Sequence, residues 1–268
     1  MTASRVLCAA VLAVAAISSC AREERESGLD IVRITTHGRL SSSALFIAEE
    51  EGFFADERIK LRFVEAPRSS VQAIPLLERG DIDVLGASAS SGFYAALARG
   101  ARSRIVADRG HVAPGGCDFN GVMGRRDSFA SDSPTAAELK GKKFSINKAG
   151  TAEFVSHKYF ESMGLSLSDI EIVQLNETVE SQALEGGSID GMHVAEPFLT
   201  PLRSRGHRLL APGWRLSPGS HFSLVLFGPS LLVRNRDLGQ RFINAYLRGT
   251  RQFAEGATPR NVEIIAGR

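Results

Sequence analysis

The side chains of this sequence that can do chemistry are mostly hydroxyls set beside glycines. Ser41, Ser42, Ser69, Ser88, Ser90, Ser91, Thr151 and Thr178 fall in short runs of small residues, with Gly150 next to Thr151. A hydroxyl donates one hydrogen bond and accepts two, so several of them converging on one place suit recognition of a small polar solute. Arg39 and Arg68 stand in the same runs as partners for an anion. Glu177 and Glu196 would suit a cationic or amine-bearing group instead, and Phe198 would cover an apolar part. Any one of these serines is better explained as a helix cap. It is the set that reads as a binding cleft.

Catalytic patterns are thin by comparison. Gly86-Ala87-Ser88-Ala89-Ser90 lacks the second glycine of a nucleophile elbow, and no G-x-x-x-x-G-K-[ST] phosphate loop occurs. The six histidines, His37, His111, His157, His193, His207 and His221, never fall at a metal-ligand spacing such as H-E-x-x-H. His193 precedes Glu196 closely enough for an acid/base pair, but a hydrogen-bonded structural histidine is the simpler reading. The expectation is a protein that is not an enzyme, with no catalytic residue, no metal and no cofactor.

What must position the hydroxyls is a phrase used twice. Leu77-Glu78-Arg79-Gly80-Asp81-Ile82-Asp83 and Leu184-Glu185-Gly186-Gly187-Ser188-Ile189-Asp190 both read L-E-x-G-x-I-D. Each looks like a helix end, a glycine where a left-handed backbone is needed, and a buried strand beginning at isoleucine. The surroundings repeat as well. Strand Ile31 to Thr36, helix Ser43 to Glu51 and strand Ile59 to Val64 precede the first copy; strand Lys143 to Ile146, helix Ala152 to Met163 and strand Ile170 to Leu175 precede the second. Strands alternating with helices imply right-handed crossovers and a mainly parallel sheet covered on both faces. The fold class is therefore α/β, in two similar lobes hinged by crossing strands.

Ligands of open parallel sheets collect beyond the carboxyl ends of the strands, where helix N-termini present free N–H groups. Two such lobes face those edges across one cleft. Its loops are His37 to Ser42, Ala66 to Ser70 and Ala87 to Gly92 in the first lobe, and Asn147 to Thr151, Asn176 to Thr178 and Val194 to Phe198 in the second. Further along, Pro75 should bend its helix or shift its start. Ser133-Pro134 reads as a helix start, Phe222 to Phe227 as a strand, and Ser230 to Val233 as the return to the first lobe. Asp237 to Phe253 is an amphipathic helix with Leu238, Phe242, Ala245, Tyr246 and Phe253 near one face.

With 268 residues, 43% of them hydrophobic, and a net charge of +2, the chain is large enough for two domains and gives no reason to invoke nucleic acid. Arg5 and the apolar run Val6 to Ala16 read as an export signal, too short for a permanent membrane span. Its end, Ile17-Ser18-Ser19-Cys20, resembles a bacterial lipobox. That implies a mature protein starting at an acylated Cys20, a palmitate-type membrane anchor, with 21–28 as a solvated tether. Cys8 leaves with the signal and Cys117 remains alone, so no internal disulfide is expected and the lone thiol is given no chemistry.

Taken together, the chain resembles the substrate-binding lipoproteins of bacterial ABC importers, in the branch of nitrate, taurine, alkanesulfonate and thiamine-pyrimidine-precursor binders. The match runs through Leu45-Phe46-Ile47-Ala48-Glu49-Glu50-Glu51-Gly52-Phe53-Phe54, Leu77 to Asp83, Leu139-Lys140-Gly141-Lys142-Lys143 with Gly150-Thr151, and Gly187-Ser188-Ile189-Asp190 with Glu196-Pro197-Phe198. The resemblance implies a periplasmic binding protein-like type 2 fold with signal 1–20, tether 21–28, lobe 1 in 29–120 with 229–268, and lobe 2 in 121–228. It implies a monomer, lipid-anchored at the periplasmic or extracellular face, that hands a small solute to an ABC permease and its ATPase. The expected ligand contacts are Arg39, Ser41, Ser42, Arg68, Ser69, Ser88, Ser90, Gly150, Thr151, Glu196 and Phe198. The family also includes a pyrimidine synthase that works on pyridoxal phosphate, and a membrane-tethered sensor is a further alternative. Family members usually continue with more C-terminal helices, so the first lobe is expected to be less covered here.

Overall fold

The computed structural model describes residues 25–268 except 27, 37–39, 66–69, 149 and 176, with backbone alone at 25, 70, 71, 177 and 178. The residues read as an export signal, together with Cys20, Arg39, Arg68 and Ser69, lie outside the described residues.

In chain order the elements are β1 (Arg25–Glu26), β2 (Leu29–Thr35), α1 (Ser43–Glu50), α2 (Phe53–Asp56), β3 (Ile59–Phe63), α3 (Ser70–Arg79), β4 (Val84–Ala87), α4 (Ser91–Ala98) and β5 (Arg104–Asp108). Then follow β6 (Asn120–Gly124), α5 (Ala136–Leu139), β7 (Lys143–Ser145), α6 (Thr151–Ser162), β8 (Glu171–Val173), α7 (Glu177–Glu185), β9 (Gly191–Ala195), α8 (Leu199–Ser204), β10 (Arg208–Pro212) and α9 (Gly213–Leu216). β11 (Leu224–Phe227), α10 (Arg236–Phe253) and α11 (Pro259–Ala266) complete the chain.

These build two sheets. The first runs β1-β2-β4-β11-β5 with β3 on the other side of β2, and the second runs β10-β6-β9-β7-β8. In each, the three strands of the repeated unit are parallel (β3-β2-β4 and β8-β7-β9), and the strands added by the crossings are antiparallel. The sheets are thus mixed, with the expected parallel arrangement at the heart of each lobe.

Alternation along single strands separates two cores per lobe, because successive side chains point to opposite faces. Val225 and Phe227 pack with α1, α2 and α10, whereas Leu224 and Leu226 pack with α3 and α4. In the second lobe Val122 faces the α6 side with Phe144 and Phe160, and Met123 faces the α7 and α8 side with Leu184 and Leu199. Helices cover both faces of both sheets.

The duplicated phrase makes the same corner twice. Gly80 and Gly187 have φ of 82° and 77°, the left-handed region that a side chain disfavours. Asp81 N–H reaches back to Leu76 O at 2.9 Å, and Ser188 N–H to Ala183 O at 2.9 Å, which closes each helix end. Leu77, Ile82, Leu184 and Ile189 are all buried.

Several boundaries differ from the sequence reading. Arg25–Glu26, within the expected tether, pairs antiparallel with Leu29–Asp30, since Gly28 at φ 81° lets the chain fold straight back. β11, expected in the second lobe, lies between β4 and β5 of the first sheet, so the return crossing falls between Pro212 and Leu224. α5 starts at a Thr135/Glu138 capping box and not at Ser133, because Thr135 accepts the Glu138 N–H while Glu138 accepts the Thr135 N–H. Pro75 sits inside α3. Phe253 is exposed, whereas Leu238, Phe242, Ala245 and Tyr246 are buried as expected. α11 is additional, capped by Thr258 with Pro259 in its first turn.

Candidate functional site

The crossing segments are held to each other. His111 and His221 form an antiparallel bridge, Val112 N–H donates to Ser220 O at 2.8 Å, and Gly219 N–H to Val112 O at 2.7 Å. Phe222 N–H donates to Gly110 O at 2.8 Å, and Arg109 N–H to Ser223 O at 2.9 Å. The imidazoles of His111 and His221 both reach the Asp108 carboxylate, at 3.1 and 3.4 Å. This is the hinge that the crossing strands were expected to make.

On the first-lobe side, the hydroxyls at the end of β2 and the start of α1 gather on one buried arginine. Arg109 donates through Nη1 to Thr36 Oγ1 at 2.8 Å, through Nη2 to Ser41 Oγ at 3.0 Å and Ser42 Oγ at 3.2 Å, and through Nε to Ser41 O at 3.1 Å. Thr36 and Ser42 hydroxyls are themselves 2.9 Å apart. Gly86 makes the space: a Cβ there would stand 1.6 Å from Nη1 and 2.8 Å from Thr36 Oγ1. Arg109 is only 8% exposed, over Tyr246, Phe242 and Val225. Burial pushes the Tyr246 phenol up to about 12, with the Arg109 charge acting the other way.

The other expected contacts of this lobe divide. Ser90 is a buried cap, accepting Phe93 N–H at 3.2 Å at the start of α4. Ser88 is half-buried in the loop before it. The returning segment is tied to β4 as well, since the buried Ser223 donates its hydroxyl proton to Ala87 O at 3.2 Å.

In the second lobe Gly150 caps α6 in an extended conformation, with no atom within 4 Å of where a Cβ would stand. Thr151 Oγ1 points toward Phe222 O at 3.5 Å. Phe222 packs edge-on against Phe119 with ring centroids 5.1 Å apart, and Phe119 O accepts the Glu196 N–H at 2.8 Å. Both rings are half-buried, so the hinge floor offers aromatic surface. Thr151, Phe222, Phe119 and Glu196 are thereby linked in one run of contacts. The Glu196 carboxylate is engaged by the Thr200 hydroxyl, and Phe198 packs against the Leu184 and Leu199 core. Behind the rim, Glu180, 3% exposed, accepts Ser145 Oγ at 2.7 Å and Asn147 Nδ2 at 3.1 Å.

Arg109, Glu180, Phe119 and Phe222 were missed in the sequence. A lone arginine after a strand and a glutamate inside a helix carry no local signal that they are buried. Gly86 was legible as a small residue, but not as the seat of a guanidinium 23 positions away. Cys117 is exposed, not the buried small hydrophobe a lone thiol usually is. Among the described residues no group of three or more His, Cys, Asp or Glu is placed to hold a metal ion, and no helix is long and apolar enough to cross a membrane.

A putative aliphatic sulfonates-binding protein of Bacillus subtilis (strain 168) is 28% identical over 194 residues, which is 69% of this chain and 55% of that protein. The matched chain therefore spans little more than half of that relative. The alkanesulfonate-binding protein SsuA from Xanthomonas axonopodis pv. citri bound to MOPS superposes with TM-score 0.69 at 23% identity, over 91% of this chain and 80% of that one. The periplasmic nitrate-binding protein NrtA from Synechocystis PCC 6803 gives 0.71 at 13% identity, over 89% and 66%. The desulfurization enzyme DSZB gives 0.59 at 15% identity, over 89% and 80%. At such identities these structures speak for the fold, which binding proteins and an enzyme share. The family model described as NMT1/THI5 like matches residues 40–257, and the chain belongs to that family.

Proposed function

We propose that this chain is the extracytoplasmic solute-binding component of an ABC importer. It captures a small organic or anionic solute, of the sulfonate, nitrate, taurine or thiamine-pyrimidine type, between its lobes and delivers it to a permease and its ATPase. The observation that carries this reading is the pair of crossing segments bridged at His111 and His221, with hydroxyl-bearing sheet edges on both sides and half-buried Phe119 and Phe222 at the floor. Hinged lobes couple solute contact to a change of shape that a transporter can distinguish. The named sulfonate- and nitrate-binding relatives support the solute class, and the periplasmic binding proteins among them support a place outside the cytoplasm.

In this reading Arg39, Arg68, Ser41, Ser69, Ser88, Gly150, Thr151 and Glu196 contact the solute, with the fully buried Ser42 behind them; Cys20 carries the lipid anchor, and the protein acts as a monomer without turnover. Titration calorimetry of the full-length protein against ethanesulfonate, taurine, nitrate and an aminopyrimidine tests it. Binding of one of them, abolished by joint alanine substitution of Arg39, Thr151 and Glu196 with the fold intact, is the expected result. Chemical conversion of a bound sulfonate would instead favour an enzyme, the reading that the shared fold of the desulfurization enzyme keeps open.

A further inference from the structure

We propose that Arg109 is a positioning residue that ties the hinge to the first lobe's sheet edge and turns the Ser41 hydroxyl into a donor for a solute oxygen. The inference rests on the binding-protein reading for its solute and on the structure for its coupling. Arg109 is the first residue after β5, where the chain leaves the first lobe, and Gly110 follows at φ 135°, a conformation that a side chain disfavours. Its main-chain N–H is fixed to Ser223 O of the returning segment, while its side chain runs back to Thr36, Ser41 and Ser42. One residue therefore holds both crossing strands and both described ends of the β2–α1 connection.

The geometry requires arginine. Three nitrogens of one planar fork meet four oxygens, whereas the single ammonium nitrogen of lysine cannot span them. Gly86 is fitted to the same fork, since any Cβ would displace Nη1. A guanidinium only donates, so Ser41 Oγ meets it with a lone pair, and its own proton must point elsewhere. Ser41 is half-buried at the lobe edge, and among the described residues its hydroxyl has no other hydrogen bond. The first lobe thus offers a donor to an acceptor group such as an oxyanion, and the buried positive charge behind it acts in the same direction.

The test uses the full-length protein as wild type, R109K, R109Q and S41A, without solute and with ethanesulfonate or nitrate as probe. Hydrogen exchange of the solute-free protein should rise in R109K and R109Q at Leu40–Ser43 and at Gly110–Val112, with β3 and α10 unchanged. Unchanged exchange at Leu40–Ser43 overturns the coupling; so does a uniform rise that includes α10, which would make Arg109 a core residue and no more. If the wild type binds a probe, R109K and S41A should each weaken it about tenfold or more, S41A at unchanged melting temperature. Equal affinity in S41A overturns the donor assignment. A wild type that binds neither probe defeats the oxyanion assignment and counts against the anionic branch of the binding reading, while the exchange experiment still decides the coupling.

Discussion

Asp83 and Asp190, the last residues of the two L-E-x-G-x-I-D phrases, grip the opening strand of their own lobe in the same way. Asp83 donates its N–H to Arg33 O at 2.8 Å, and its carboxylate accepts Arg33 N–H at 2.9 Å. Asp190 donates its N–H to Lys143 O at 2.7 Å, and its carboxylate accepts Lys143 N–H at 3.0 Å. The repeat is therefore one of bonding as well as of spelling. A short carboxylate at the start of the third strand sets the register against the first, and that register aligns the carboxyl ends at which the cleft forms.

The two aspartates differ in what neutralises them. Asp83 also takes Nε and Nη2 of Arg33, each at 3.0 Å, while Asp190 takes the Ser128 hydroxyl at 2.6 Å. Burial alone would raise the Asp190 carboxyl; the Ser128 hydroxyl, the Lys143 N–H and the charges of Lys142 and Arg125 outweigh it and hold it below the usual carboxylate range. A depressed folded value adds stability above the ordinary carboxylate value and loses it as pH falls through the folded one. D190N should cost about 1–2 kcal/mol at pH 7, and the deficit should shrink below about pH 4. Urea unfolding at pH 7, 4 and 3 checks this, and a deficit independent of pH would argue against it.

The corner glycines should be equally intolerant in both lobes. G187A and G80A each force a side chain into the left-handed region, at about 1–2 kcal/mol. At Gly80 a Cβ would also meet the Arg234 guanidinium at 2.5 Å, but that side chain is exposed and can swing away. Asparagine, which tolerates this conformation better, should recover part of the loss at both positions. Melting temperatures of the four variants provide the comparison.

His207 makes the second lobe sensitive to mild acid. Burial, and then the Arg126 charge, lower its pKa, and its Nδ1 accepts Arg126 N–H at 3.4 Å. Below about 6.5 the unfolded chain takes up a proton that the folded site resists, so stability falls as pH drops through that value until the folded site also protonates. H207N removes this contribution. Chemical denaturation at pH 7.5, 6.5 and 5.5 should give a shallower pH dependence in the variant than in the wild type.

Phe242 and Phe253 lie on the same helix, and only one of them is core. Phe242 is fully buried, with ring centroids 5.1 Å from Phe54, 5.4 Å from Phe227 and 6.4 Å from Tyr246. F242A should destabilise by about 3–5 kcal/mol, and F253A by less than about 0.5 kcal/mol. Equal losses in equilibrium unfolding would place both on the buried face.

The sequence by itself determined the two lobes, their strand–helix alternation, the duplicated corners and the hydroxyl-rich edges. Those features are local: a glycine past a helix end, an isoleucine that must be buried and an apolar period can each be read within a few residues. It also carried signals left unread, the T-x-x-E box at Thr135 and the Thr258-Pro259 helix start. Tertiary structure alone decided which sheet receives β11, because a short apolar strand is equally at home in either and only pairing with Val84–Ala87 and Arg104–Asp108 places it. It alone brought Arg109 over Gly86 onto Thr36, Ser41 and Ser42, and Glu180 onto Ser145 and Asn147. A buried charge is tolerated only where distant groups supply its hydrogen bonds, and no window of sequence contains those partners together.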